Sequence, residues 1–256
     1  SETASQCLTC KAGSYSNTSS ATACHLCRPG EYQPRDGDVS CLLCPAGTYS
    51  TSPAQSASIP ADPGHFVGAP GLTEQQSCQP GFFQHNAGQP NCDPCPLGTR
   101  STQAAAPSCD RCPAGSFAPA LNSTSCSLCA AGSFQPSTGE SACSLCTRGT
   151  YSTAGASVCA RCEVLRIAPQ PGATSCDDCP LNAIASESRT LCLCIVGYYL
   201  RDGACVPCET GADCSLPGQT YDQLLTAKGF WRAVNQTTTF YRCLLRRNCV
   251  GGAASE

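Results

Sequence analysis

The chain has 256 residues, 26 of them cysteine, with 23 glycines and 20 prolines but only 6% aromatic and 13% charged residues. This composition excludes an ordinary globular core and a reduced cytosolic enzyme, because cross-links must replace the burial that so little apolar bulk cannot supply, and they need an oxidising compartment. With 15 basic against 18 acidic residues the net charge is −3, which leaves no basic surplus for gripping nucleic acid.

The first residues, Ser1 to Gln6, show no initiator methionine, basic n-region or apolar h-region, and no apolar run reaches 18 residues. Together with the cysteine content this predicts an extracellular or cell-surface address, as part of a longer secreted or membrane-anchored chain.

From Cys7 onward the sequence keeps a beat. CxxC pairs begin at Cys7, Cys24, Cys41, Cys92, Cys109, Cys126, Cys143, Cys159, Cys176 and Cys205, most of them 17 residues apart. A glycine holds the same period at Gly13, Gly30, Gly47, Gly64, Gly81, Gly98, Gly115, Gly132 and Gly149. Two residues after each glycine stands Tyr15, Tyr32, Tyr49, Phe66, Phe83, Phe117, Phe134 or Tyr151, with Arg100 the one exception. The glycine permits a tight turn or close backbone approach, and the aromatic supplies the one large apolar face of each unit. Return loops such as Ser16–Ala23 and Gln135–Ala142 are small and polar. One unit buries roughly 2–3 kcal/mol of aromatic surface against an ordering cost of about 1–2 kcal/mol per residue. A disulfide adds on the order of 3 kcal/mol. Stacking on neighbours must supply the rest, so the predicted fold is small and disulfide-rich: an elongated tandem array of 17-residue hairpin-like repeats with little helix and few short strands.

Between Cys44 and Cys78 the glycine beat continues while cysteines vanish, leaving Ser58, Ala61 and Gln75 where the period expects them. Ala61 and Gln75 would be the second cysteine of one pair and the first of the next. Their joint absence points to one whole deleted disulfide. The same rule gives Cys10–Cys24, Cys27–Cys41, Cys78–Cys92, Cys95–Cys109, Cys112–Cys126, Cys129–Cys143, Cys146–Cys159, Cys162–Cys176, Cys179–Cys192 and Cys194–Cys205. Cys7 would look upstream for a partner, and Cys44, facing Ser58, is expected to be a free thiol or to form an unusual bond; both are unpaired within the chain. Cys208, Cys214, Cys243 and Cys249 are expected to pair among themselves. A rival scheme joins alternate cysteines of adjacent pairs, Cys7 to Cys24 and Cys10 to Cys27. Zinc is the weaker reading of these CxxC pairs, since ten successive sites in Gly/Pro-rich loops fit a secreted staple better. A thioredoxin-like role lacks its βαβ context.

After Cys159 the unit degenerates, with Glu163-Val164-Leu165-Arg166 replacing the glycine turn, and Cys192-x-Cys194-x-x-Gly197-Tyr198 follows. Units such as Cys112-Pro-Ala-Gly-Ser-Phe117 and the Cys192–Tyr199 segment resemble the ephrin-receptor-like cysteine-rich repeats, with an EGF-like last loop and a kinship in loop style to tumour-necrosis-factor-receptor modules. The resemblance covers about residues 7–208 and implies the fold of an extracellular cysteine-rich module. The run from Gly229-Phe230-Trp231-Arg232 to the closing glycines resembles a segment that follows such repeats in large surface proteins of algae and protists. That implies a home in a surface appendage of the mastigoneme type. The organisation expected is tandem repeats over 1–162, degenerate repeats over 163–208, and a distinct C-terminal cap over 209–256.

The cap is expected to hold a short turn of helix ending at Gly229 and a hairpin beyond it. Lys228, Arg232, Arg242, Arg246 and Arg247 make it locally basic, with no acidic residue between Asp222 and Glu256. A bound polyanion or anionic headgroup is one reading of these charges and a solvated face the simpler one, and for Trp231 packing is a simpler role than that of a ligand platform. His25, His65 and His85 lie in different units without acidic partners, so no catalytic, metal or cofactor site is expected. Sequons at Asn17, Asn122 and Asn235 mark candidate glycosylation sites. The predicted function is a disulfide-stapled, glycosylated rod that assembles laterally or end to end with copies of itself or other chains. The alternative is the ligand-binding ectodomain of a membrane receptor.

Overall fold

The computed structural model describes residues 9–19, 21–232, 239–244 and 249–252. Among these residues helix is confined to one turn, Tyr221–Gln223, and the regular structure is a succession of short strands, most of two residues, in two-stranded sheets. By contact the chain divides into two compact units, one of residues 1–127 with 137–142 and the other of residues 128–136 with 143–256.

One repeat of the first unit shows how the sequence dictates the local shape. In Arg28-Pro29-Gly30-Glu31 the proline presets its own φ and Gly30 takes φ +84°, the pattern of a type II turn, closed by the Glu31 N–H on the Arg28 carbonyl at 3.0 Å. Glu31–Tyr32 then runs antiparallel to Leu42–Leu43, with Tyr32 opposite Leu42. Between them the polar loop returns the chain, and the Cys44 N–H donates to the Gly30 carbonyl at 2.9 Å.

Two-stranded hairpins are marginal alone, and here most are tied to later repeats by backbone bonds. The Gly30 N–H reaches the Ser50 carbonyl (2.9 Å), the Gln33 N–H the Gln55 carbonyl (3.0 Å), and the Ala54 N–H the Cys27 carbonyl (2.9 Å). Gly47, Gly64 and Gly81 donate in turn to Val67, Gln84 and Ser101. The side chains differ at every step, so the ladder belongs to the backbone.

The second unit repeats the scheme within itself, with Gly132 donating to Ser152 at 2.9 Å and Gly155 to Cys129 at 2.8 Å. Where Leu165 stands in place of glycine, its carbonyl still accepts from the Cys179 N–H at 2.8 Å. Further on, Asn182 adopts φ +63° and accepts from Ile195. The C-terminal segment carries the same bonds: Gly229 donates to the Cys249 carbonyl (3.0 Å), and Cys243 donates to the Gly229 carbonyl (2.9 Å). The helical turn stops at Gln223 because Leu225–Thr226 is drawn into a strand against Ala212–Asp213 and Gly229, at φ +88°, opens the next hairpin.

The core is thin and periodic. The first cysteine of most bonds is buried, with Cys27, Cys78, Cys95, Cys112, Cys129 and Cys146 fully so. Also buried is the third residue after most of the beat glycines, among them Ser50, Val67, Ser101 and Ala118 in the first unit. Where that residue is Gln33 it stays satisfied, because its Nε2 donates to the Ser40 carbonyl and its Oε1 accepts from the Arg35 N–H. In the second unit Tyr151 packs on the Cys162–Cys176 bridge, and a larger cluster gathers Tyr199, Cys214 and Leu224 with Tyr221 and Phe240 around it.

Candidate functional site

The chemistry of this chain lies in its sulfurs. The structure joins Cys10 to Cys24, Cys27 to Cys41, Cys78 to Cys92, Cys95 to Cys109 and Cys112 to Cys126 in the first unit. In the second it joins Cys129 to Cys143, Cys146 to Cys159, Cys162 to Cys176, Cys179 to Cys192 and Cys194 to Cys205. Two short loops close with Cys208–Cys214 and Cys243–Cys249. The bridges have Cα separations of 5.5 Å at Cys194–Cys205 to 6.5 Å at Cys243–Cys249, within the range for unforced disulfides. Cys7 lies outside the described residues.

Cys44 is free and fully buried. Burial pushes its thiol above the ordinary range, its own backbone amide pulls the other way, and the negative Glu31 adds a smaller upward push. Across the turn Ser58 is half-buried and offers no sulfur. One repeat on, where a bridge between positions 61 and 75 would stand, Ala61 is fully buried and Gln75 forms a polar clasp. Its Oε1 accepts from the Asp62 N–H at 2.7 Å, and its Nε2 donates to the Asp62 carboxylate at 2.8 Å.

Most beat glycines face a second positional rhythm that the sequence alone did not reveal. Gly37, Ala54, Gly71, Gly88, Ala105, Asn122 and Gly139 all adopt left-handed φ, at the period of the glycine beat. A Cβ on Gly64 would run into the Ala105 carbonyl, and one on Gly81 into that of Asn122. The glycines at 37, 71, 88 and 139 were the available signal, but Ala54, Ala105 and Asn122 break the pattern in letters while keeping it in conformation.

Asn122 is thus both a sequon residue and a backbone element. Asparagine tolerates φ +52°, its N–H donates to the Cys95 carbonyl at 2.9 Å, and its side chain is exposed. Asn17 is exposed as well, and Asn235 lies outside the described residues. The histidines stay apart: the His25 ring lies 5.5 Å from Tyr15, and His65 Nδ1 sits 3.3 Å from the Pro63 carbonyl. No group of three or more His, Cys, Asp or Glu is placed to hold a metal ion among the described residues.

The basic C-terminal segment sorts into two kinds of cation. The Arg232 guanidinium is built into the fold, lying 5.3 Å from the Tyr221 ring centre and 5.7 Å from that of Phe240, and donating to the Leu224 carbonyl. Lys228 and Arg242 stay exposed. Trp231 stacks on its cross-strand partner Tyr241 at 5.0 Å, and both remain partly open to solvent. Arg246 and Arg247 lie outside the described residues. No helix of the described residues is long and apolar enough to cross a membrane.

Comparison with known families gives one match. The family described as tyrosine-protein kinase ephrin type A/B receptor-like matches residues 13–59, 64–112 and 115–151, about half of the chain. No match to a curated protein was found. The matched segments coincide with the regular glycine beat and stop before the degenerate turns at Leu165 and Asn182. Disulfide density and repeat type together make this an extracellular kind of module. The chain belongs to the ephrin type A/B receptor-like family of cysteine-rich repeats.

Proposed function

We propose that this chain is a structural and interaction module, a disulfide-stapled and glycosylated rod that gives length and lateral surface to a cell-surface or appendage protein. The observation that supports this reading is the sameness of the backbone ladder within each unit. The bond from Gly30 to Ser50 is repeated from Gly81 to Ser101 and from Gly132 to Ser152, whatever the side chains around it. A module built to recognise one partner concentrates aromatic and arginine anchors on one patch. The turns before Gly197 instead keep their aromatics half-buried and expose single aliphatic side chains repeat after repeat, Leu26, Leu43, Leu128 and Leu145 among them, with no aromatic and arginine cluster among the described residues.

Glycans would sit on Asn17 and Asn122, whose side chains face solvent on return loops. A filament of the mastigoneme type is the home we favour, with copies of this chain or companion chains as partners. Electron microscopy of the native protein tests the reading: regular polymers are expected, and isolated rods anchored singly in membrane would favour a receptor ectodomain instead. Mass spectrometry is expected to find a glycan on at least one of the two described sequons; both bare would remove the glycosylated part of the proposal.

A further inference from the structure

The second unit holds a cleft of 610 Å³ lined by Thr210, Lys228, Gly229, Phe230 and Arg242. Its walls follow from the local fold. The hairpin of Phe230–Arg232 with Phe240–Arg242 sets Phe230 directly opposite Arg242, so a ring and a guanidinium emerge side by side on one face. The turn that precedes it carries Lys228 to the same opening, and the turn before Gly211 brings Thr210. At Gly211 a Cβ would meet Phe230 and Phe240 at 2.6 Å, so the absence of a side chain there is what lets Thr210 approach the ring.

Both charged residues that line the cleft are cations, Lys228 and Arg242, with the exposed Glu209 standing just before Thr210. The ion pairs among the described residues are Lys11–Asp36, Arg166–Asp178 and Arg201–Asp202, so neither Lys228 nor Arg242 has a carboxylate partner there. In sequence no acid lies between Asp222 and Glu256, although the chain as a whole is net acidic. Lysine is otherwise found only at Lys11. Arg232, by contrast, is committed to Tyr221 and Phe240. The fold therefore separates a structural cation from two exposed ones that converge on a half-buried aromatic floor.

We infer that this cleft binds an acidic saccharide, carboxylated or sulfated. An anionic group would bridge the Lys228 ammonium and the Arg242 fork, which matches planar oxyanions. The C–H face of the sugar ring would rest on Phe230, and a sugar hydroxyl would meet the Thr210 hydroxyl. A bare inorganic anion would use the cations and leave the ring idle.

The test is calorimetric titration of the full, disulfide-bonded chain with a heparin tetrasaccharide and with trigalacturonic acid. Inorganic sulfate, neutral maltotriose and phosphatidylserine vesicles serve as comparison probes. Binding of one acidic saccharide at least tenfold tighter than sulfate, with none for maltotriose, is expected. Lys228→Ala and Arg242→Ala should each weaken it about tenfold or more, Arg242→Lys should weaken it less, and Arg111→Ala in the first unit should leave it unchanged. Peptide mapping that recovers Cys243–Cys249 in each variant shows that a loss is not misfolding. Sulfate binding as tightly as the saccharides, unchanged affinity in Lys228→Ala with Arg242→Ala, or binding confined to the vesicles would each overturn the assignment.

Discussion

Two stretches of the first unit do the same structural work with different chemistry. From Cys78 to Cys126 each turn is closed by a bridge, whereas from Cys44 to Gln75 no turn is. Yet the backbone bonds are the same in both. Ala61 donates to the Gly47 carbonyl at 2.9 Å as Cys95 does to Gly81 at 2.8 Å, and Gly88 reaches Ala61 as Asn122 reaches Cys95. Shape is therefore set by turns, left-handed residues and the ladder between repeats, while the disulfides act chiefly by restricting the unfolded chain.

The comparison can be broken hardest at a bridge in the stapled stretch. Replacing Cys95 and Cys109 together by serine should cost about 2–5 kcal/mol, read as a lower denaturation midpoint of the first unit. The converse change sharpens it. Ser58→Cys should close on Cys44, remove the Cys44 thiol and stabilise the unit by roughly 3 kcal/mol, with non-reducing peptide mapping and a fall of one in the thiol titration as the check. In the parent chain, alkylation of native Cys44 should be slow near neutral pH and speed up under mild denaturant, because the reactive thiolate is suppressed by burial. The sign follows for stability too. A thiol whose folded pKa is raised contributes stability that is whole below the ordinary thiol range and is lost as pH climbs through the raised folded value.

A smaller effect separates close approach from conformation alone. Gly64→Ala must push its new methyl into the Ala105 carbonyl and should cost at least about 2 kcal/mol, whereas Gly197→Ala meets nothing within 4 Å and should cost about 1 kcal/mol from its left-handed φ. The smallest change is Gln75→Ala, which removes the clasp on Asp62 and should cost about 1 kcal/mol. Hydrogen exchange at the Asp62 amide is the sensitive readout, and unaltered protection there would show that the clasp contributes nothing.

The fold class was legible in the sequence because glycine and aromatic recur on one period, and a period is the one tertiary feature that letters display directly. What stayed hidden is carried by the backbone. The left-handed rhythm passes through Ala54, Ala105 and Asn122 without a glycine to announce it. The turns at Leu165 and Asn182 keep their carbonyl acceptors after losing the motif. The C-terminal stretch reads as a different kind of sequence, since its bridges shrink to separations of 11 and 6 residues, yet Gly229 makes the bonds that Gly30 makes. The cleft at Phe230 was out of reach for another reason: periodicity says nothing about which charges a cross-strand register will bring together.

The close approach of a beat glycine such as Gly64 to a left-handed residue two repeats on has a consequence for how such a protein is made. Gly64 touches Ala105, which lies beyond the adjacent repeat, so a turn is completed only when the second turn after it has emerged from the ribosome. Two repeats cut from the unit should stay unfolded, and three should be the shortest piece that folds. A growing chain would carry a trailing edge of unfinished turns whose thiols remain open to disulfide exchange until the next repeats arrive.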